Sequence, residues 1–122
     1  MKKILIFISV ILLNANNFDE AKQAYIHMDY SKAYKLFMQE CNNKNAKACN
    51  YIGVLYENGL GVKANTKKAL EFYKKGCESY SEACVNLGSL QLQLGNKKEA
   101  NKAFNKACKM GYKMACSLIK KD

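Results

Sequence analysis

The chain has 122 residues, with 20 Lys, no Arg, 10 acidic residues and a formal net charge of +10. That length suffices for one small domain with a marginal core. The absence of Arg, whose planar fork reads guanine edges and clamps phosphate, argues against specific nucleic-acid recognition and leaves the charge to solubility or to acidic partners.

The first element in chain order is a leader. Lys2 and Lys3 supply a positive start, Ile4 to Leu13 are almost continuously apolar, and Asn14-Ala15-Asn16-Asn17 turns polar. This is the order of a secretory signal peptide, and the apolar run is too short to cross a bilayer as a helix. Residues 1–15 are therefore expected to be removed after Ala15, leaving 107 residues, a formal charge of +8 and no membrane span.

Helical hairpins follow, and with no Pro in the chain Gly supplies the main punctuation. Phe18 to His27 reads as a short helix, with a turn near Met28-Asp29 and a second helix carrying Ala33, Phe37 and Cys41 inward. In the next hairpin Ala48, Ile52, Leu55 and Tyr56 recur at three- and four-residue steps, which defines one helical face. Gly59 ends that helix and Gly61 loosens the loop. Thr66 reads as the N-cap of a partner helix with Ala69, Phe72, Tyr73 and Gly76 inward.

The following hairpin repeats the pattern with Ala83, Leu87, Leu90 and Leu94, a turn at Gly95-Asn96, then Ala100, Ala103, Phe104 and Ala107. A last helix over Tyr112 to Lys120 faces Cys116, Leu118 and Ile119 inward. The units run about 18–43, 44–79 and 80–110, with a half-unit at 111–122. Periods of 36 residues (Cys41 to Cys77) and 31 (Cys77 to Cys108) mean stacked hairpins, each burying its apolar face on its neighbours. The Tyr and Phe stripe is core in this reading, and Lys pairs such as Lys67-Lys68 and Lys97-Lys98 are solvated outer faces.

Six cysteines fall into couples at 8, 7 and 8 positions: Cys41 and Cys49, Cys77 and Cys84, Cys108 and Cys116. The first of each couple ends one hairpin and the second lies about a turn into the next. A tight turn brings them within disulfide reach, so these couples are expected to be bonded. Each bridge closes about nine residues, worth roughly 2.5 kcal/mol in the chain-entropy treatment. Zinc sites space their cysteines more closely and recruit His, whereas this chain has the single His27, a cap or surface residue, and no CxxC. Neither metal nor cofactor is expected.

The run Ala48-Cys49-x-x-Ile52-Gly53-x-Leu55-Tyr56-x-x-Gly59-x-Gly61-Val62, continued by Lys68-Ala69-x-x-Phe72-Tyr73-Lys74-Lys75-Gly76-Cys77, resembles the Sel-like repeat, a relative of the tetratricopeptide repeat. With coupled cysteines in each unit and a leader, the chain is similar over about residues 29–119 to the Helicobacter cysteine-rich protein family. The unit at 80–110 departs by lacking the Gly-x-Gly-Val turn, and Lys120 stands where the pattern has Gly. The resemblance implies an all-α fold, an α-α superhelix with disulfides linking consecutive hairpins.

By analogy with tetratricopeptide proteins, the first helices line a groove at Lys47, Asn50, Val54, Glu57, Glu82, Val85, Ser89, Gln93, Ser117 and Lys121. The expected function is a monomeric, secreted or periplasmic scaffold that binds a protein or peptide in host or cell-envelope interaction. The alternative comes from the β-lactamase label that members of the resembled family carry, with a β-lactam or cell-wall fragment as ligand. Ser117-Leu118-Ile119-Lys120 matches the Ser-x-x-Lys element of such enzymes, making Ser117 and Lys120 the candidate catalytic pair, but the companion Ser-Asp-Asn and Lys-Thr-Gly elements are missing.

Overall fold

The computed structural model describes residues 17–121, so the leader expected at residues 1–15 lies outside the described residues. Among the described residues seven helices follow one another: α1 (17–26), α2 (Tyr30–Asn42), α3 (Ala46–Asn58), α4 (Thr66–Cys77), α5 (Ser81–Gln93), α6 (Lys97–Lys109) and the short α7 (Lys113–Cys116). They pair as antiparallel hairpins α1–α2, α3–α4 and α5–α6 stacked into an α-α superhelix, with α7 closing the C-terminal end.

Local signals fix where each helix starts and stops. The side chains of Asp29, Asn45 and Asn65 accept from the backbone N–H groups of Lys32, Ala48 and Lys68, capping α2, α3 and α4. Asn65 thus takes the cap expected of Thr66, which is instead the first helical residue. Asn65 has the extended backbone that a cap needs, and its side-chain amide oxygen accepts from the third N–H of the helix. Gly59, at φ 66°, ends α3 in the left-handed conformation that suits glycine. Gly61 has a second constraint, because a Cβ there would sit 2.6 Å from the backbone of Tyr30.

Small residues and rings divide the core between them. Ala33, Ala48, Ala69, Ala83, Ala100, Ala107 and Ala115 are fully buried, so neighbouring helices approach closely. Each second helix contributes one buried ring at an equivalent place: Phe37, Tyr73 and Phe104. Tyr73 lies on Gly53 and Phe104 on Gly88; in both cases a Cβ on the glycine would meet the ring at 2.5 Å. Phe37 of the first hairpin instead meets a ring of the next, stacked on Tyr51 of α3 at 4.3 Å with Phe18 and Tyr25 edge-on around them.

Disulfides join consecutive hairpins. Cys41–Cys49 ties α2 to α3, Cys77–Cys84 ties α4 to α5, and Cys108–Cys116 ties α6 to α7, with Cα atoms 4.7, 4.5 and 4.9 Å apart. Among the described residues no helix is long and apolar enough to cross a membrane.

Two further expectations fail at helix ends. Leu94 is 47% exposed, because α5 stops at Gln93 and Leu94 begins the turn. The final helix stops at Cys116 and not at Lys120, leaving Cys116 and Leu118 exposed and only Ile119 half-buried. The cause is Asn101 of α6. Its side chain accepts from the Lys120 N–H at 2.8 Å and donates to the Lys120 carbonyl at 2.7 Å, pulling the chain off the helical path.

Candidate functional site

The first helices of the hairpins touch one another side by side. Tyr51 of α3 meets Phe18 and Tyr25 of α1, and Asn86 of α5 donates its side-chain N–H to the Asn50 amide oxygen of α3 at 2.9 Å. The second helices stand further apart, with a cleft between α4 and α6. The row α1, α3, α5 is therefore the inner side of the curve.

At the N-terminal ends of α3 and α5 this row gathers a small polar cluster. Asn50 and Asn86 are both half-buried, and their mutual bond leaves both amide N–H groups of Asn50, and the oxygen and second N–H of Asn86, without a partner among the described residues. A free donor beside a free acceptor is the complement of one peptide unit. The Lys47 ammonium lies 5.7 Å from the Tyr80 ring, within cation–π range. Glu82 accepts from the Ser81 hydroxyl at 3.2 Å. Burial, then the Glu82 charge, push the Tyr80 hydroxyl above its usual range, so it stays a neutral donor.

The other expected groove residues divide. Val54 and Val85 are half-buried, and both pack on the apolar core. Ser89 and Gln93 are exposed on α5. Glu57 is engaged: the Tyr73 hydroxyl donates to its carboxylate at 2.6 Å. Burial first, and then that bond and charge, drive the Tyr73 hydroxyl far above the ordinary tyrosine value. Ser117 and Lys121 stand apart from the cluster, on the segment docked against α6, where the Lys121 carbonyl accepts from the Lys97 ammonium at 3.2 Å.

Sequence reasoning missed Tyr51, Tyr80 and Asn86. Asn86 was open to discovery, since aligning Cys49 with Cys84 puts it level with Tyr51 on the inner row.

Residues 46–80 match the Sel1 repeat, and residues 81–110 match the tetratricopeptide repeat. The structure of cysteine rich protein B from Helicobacter pylori aligns with a TM-score of 0.66 and 33% identity, covering 71% of this chain and 69% of that one. The chain belongs to the Sel1-repeat cysteine-rich protein family. A Sel1 repeat protein from Oxalobacter formigenes also aligns at a TM-score of 0.66, with 26% identity over 73% of this chain and 39% of that one. HcpE of Helicobacter pylori, which bears the provisional name of a beta-lactamase, is 40% identical over 43 residues. That match spans 35% of this chain and 12% of HcpE, so only a small part of the longer protein is represented.

In this Sel1-repeat array the Ser-x-x-Lys element does not assemble. Ser117 lies just past the end of α7 and donates its hydroxyl back to the Met114 carbonyl at 2.7 Å. The backbone of Lys120 is held by Asn101, and no bond between the Ser117 and Lys120 side chains occurs among the described residues. The Ser117 hydroxyl is thus engaged by the turn that follows α7.

Proposed function

We propose that this chain is an exported binding scaffold whose inner helix row holds an extended peptide segment of a partner protein. Sel1 and tetratricopeptide repeats serve protein–protein interaction in general, and stacked hairpins of this kind present a continuous inner surface. The observation that carries the reading is the Asn50–Asn86 bridge between adjacent inner helices, with the unpartnered N–H groups of Asn50 beside the unpartnered oxygen of Asn86. A peptide backbone laid across it finds an acceptor and a donor at once. Lys47 adds a cation for a carboxylate of the ligand, and Val54 and Val85 supply apolar contact. The apolar leader and the three disulfides support a site of action outside the cytoplasm, in the cell envelope or toward a host.

The test selects random displayed peptides on the oxidised protein, then measures the enriched peptides against Asn50→Ala/Asn86→Ala and Lys47→Ala/Asn50→Ala. Each pair is expected to weaken capture at least about tenfold while the far-ultraviolet circular dichroism is unchanged. Equal capture by both variants removes the inner row as the site.

The competing reading, β-lactam hydrolysis, draws on the name that HcpE bears. Turnover of a chromogenic cephalosporin by the purified protein, lost in Ser117→Ala, would favour it over the scaffold.

A further inference from the structure

Charge is sharply divided between the two helix rows. The second helices α4 and α6 carry nine Lys against Glu71 and Glu99, whereas the first helices α3 and α5 carry Lys47 against Glu57 and Glu82. Between α4 and α6 lies a cleft of about 270 Å³. Lys74 stands on one wall, Lys102, Lys106 and Glu99 stand on the other, and Leu87 and Ala103 contribute apolar surface between them. All three lysines are exposed, and none has an ion pair or ring contact among the described residues. Their neighbours differ, since Lys68 and Lys75 lie over the rings of Tyr56 and Phe72. Ion pairs among the described residues are Lys22–Asp19 and Lys32–Glu20, both in the first hairpin.

We propose that this outer cleft is a second docking surface, and that its occupant is an acidic peptide segment bearing one aliphatic side chain. Three ammonium groups against one carboxylate around a recess leave a net positive potential and favour a polyanionic partner. Lys102 and Lys106 are one helical turn apart, about 6 Å, which suits separate carboxylates. The apolar surface of Leu87 and Ala103 has room for one small side chain. Glu99 selects among anions: it repels a phosphate close to Lys102 yet can accept a backbone N–H from a peptide. The lack of Arg anywhere in the chain points the same way, because phosphate-rich polymers are better held by guanidinium forks. This surface lies on the opposite helix row from the Asn50–Asn86 bridge, so it stands or falls without it.

The experiment uses the full oxidised chain and a fluorescein-labelled peptide with Asp and Glu flanking a single Leu. Fluorescence anisotropy is expected to report saturable binding that weakens about tenfold between 50 and 300 mM salt. Lys102→Glu/Lys106→Glu is expected to weaken it by at least about tenfold. Lys35→Glu/Lys63→Glu, which changes net charge equally outside the cleft, is expected to stay within about twofold. Lys102→Gln/Lys106→Gln, read with circular dichroism, guards against misfolding of the charge-reversed protein and should lie between the two. The proposal is overturned by equal binding of the Asn/Gln version of the peptide, or by equal loss in both charge-reversed proteins. It also fails if heparin or phosphatidylserine vesicles bind the wild type while the peptide does not.

Discussion

Tyr73 joins the core to the inner surface. Its ring is 1% exposed on Gly53, and its hydroxyl reaches Glu57 on the inner helix α3. Gly53→Ala would drive a methyl group into a ring that cannot retreat, and Gly88→Ala would do the same to Phe104. Each is expected to lower stability by about 1–3 kcal/mol in urea unfolding. Ala at Gly95, where a Cβ meets nothing, isolates the backbone strain of a residue at φ 83° from any packing term. The Tyr73 hydroxyl also gives stability a pH dependence. Burial and the Glu57 charge raise its folded pKa above the ordinary value of 10.0, so the neutral form is favoured in the native state. Its contribution is fully present below about pH 10 and declines as pH rises beyond that value. Tyr73→Phe is expected to cost about 1 kcal/mol at neutral pH, through the lost hydrogen bond, and to flatten the alkaline fall. An alkaline limb as steep as that of the wild type would show that other tyrosines govern it.

Helix ends separate what composition can reveal from what three dimensions decide. The inward faces of α2, α3, α4 and α6 follow from apolar spacing, because helical periodicity is a local property and each helix has one buried side. Spacing cannot say which of two adjacent capping residues stands outside the helix, so Asn65 was missed in favour of Thr66. Asn65→Ala and Asn45→Ala should each lower the unfolding free energy by about 1 kcal/mol, with Thr66→Ala near neutral. The reverse order would restore Thr66 as the cap. The last helix was drawn too long for a related reason. Residues 117–120 have an acceptable helical pattern, and only the distant Asn101 turns them aside. Lys47, Asn50 and Glu82 of the inner cluster were named by analogy with tetratricopeptide proteins. Tyr80 becomes relevant only once α3 and α5 lie against each other, and Asn86, which the alignment of Cys49 with Cys84 places on the inner row, gains its partner Asn50 only there. The outer cleft was hidden because it needs Lys74 from one hairpin and Lys102 and Lys106 from the next.

At the scale of the molecule, stacked hairpins gain stability from each neighbour, and the place of a crosslink decides what its loss releases. All three loops have nearly the same length, so the chain-entropy treatment gives each bridge about 2.5 kcal/mol and cannot rank them. Folded surroundings do rank them. Cys77–Cys84 sits at the middle junction with both residues buried, and α4 and α5 cannot separate there without exposing Gly76, Ala83 and Leu87. Cys108–Cys116 holds only the four residues of α7 and the turn after it, and Cys116 is exposed. Cys77→Ala/Cys84→Ala is therefore expected to lower the Tm of the whole domain by roughly 10 °C. Cys108→Ala/Cys116→Ala should move the main transition by less than about 3 °C, because α7 can fray while α3 to α6 stay folded. Hydrogen exchange distinguishes the two outcomes directly, since protection in the second variant should vanish at residues 113–118 and persist in α3 and α5. Equal Tm losses from the two pairs, with protection lost uniformly, would mean that the array melts as one indivisible unit and that the terminal bridge braces it as firmly as the central one.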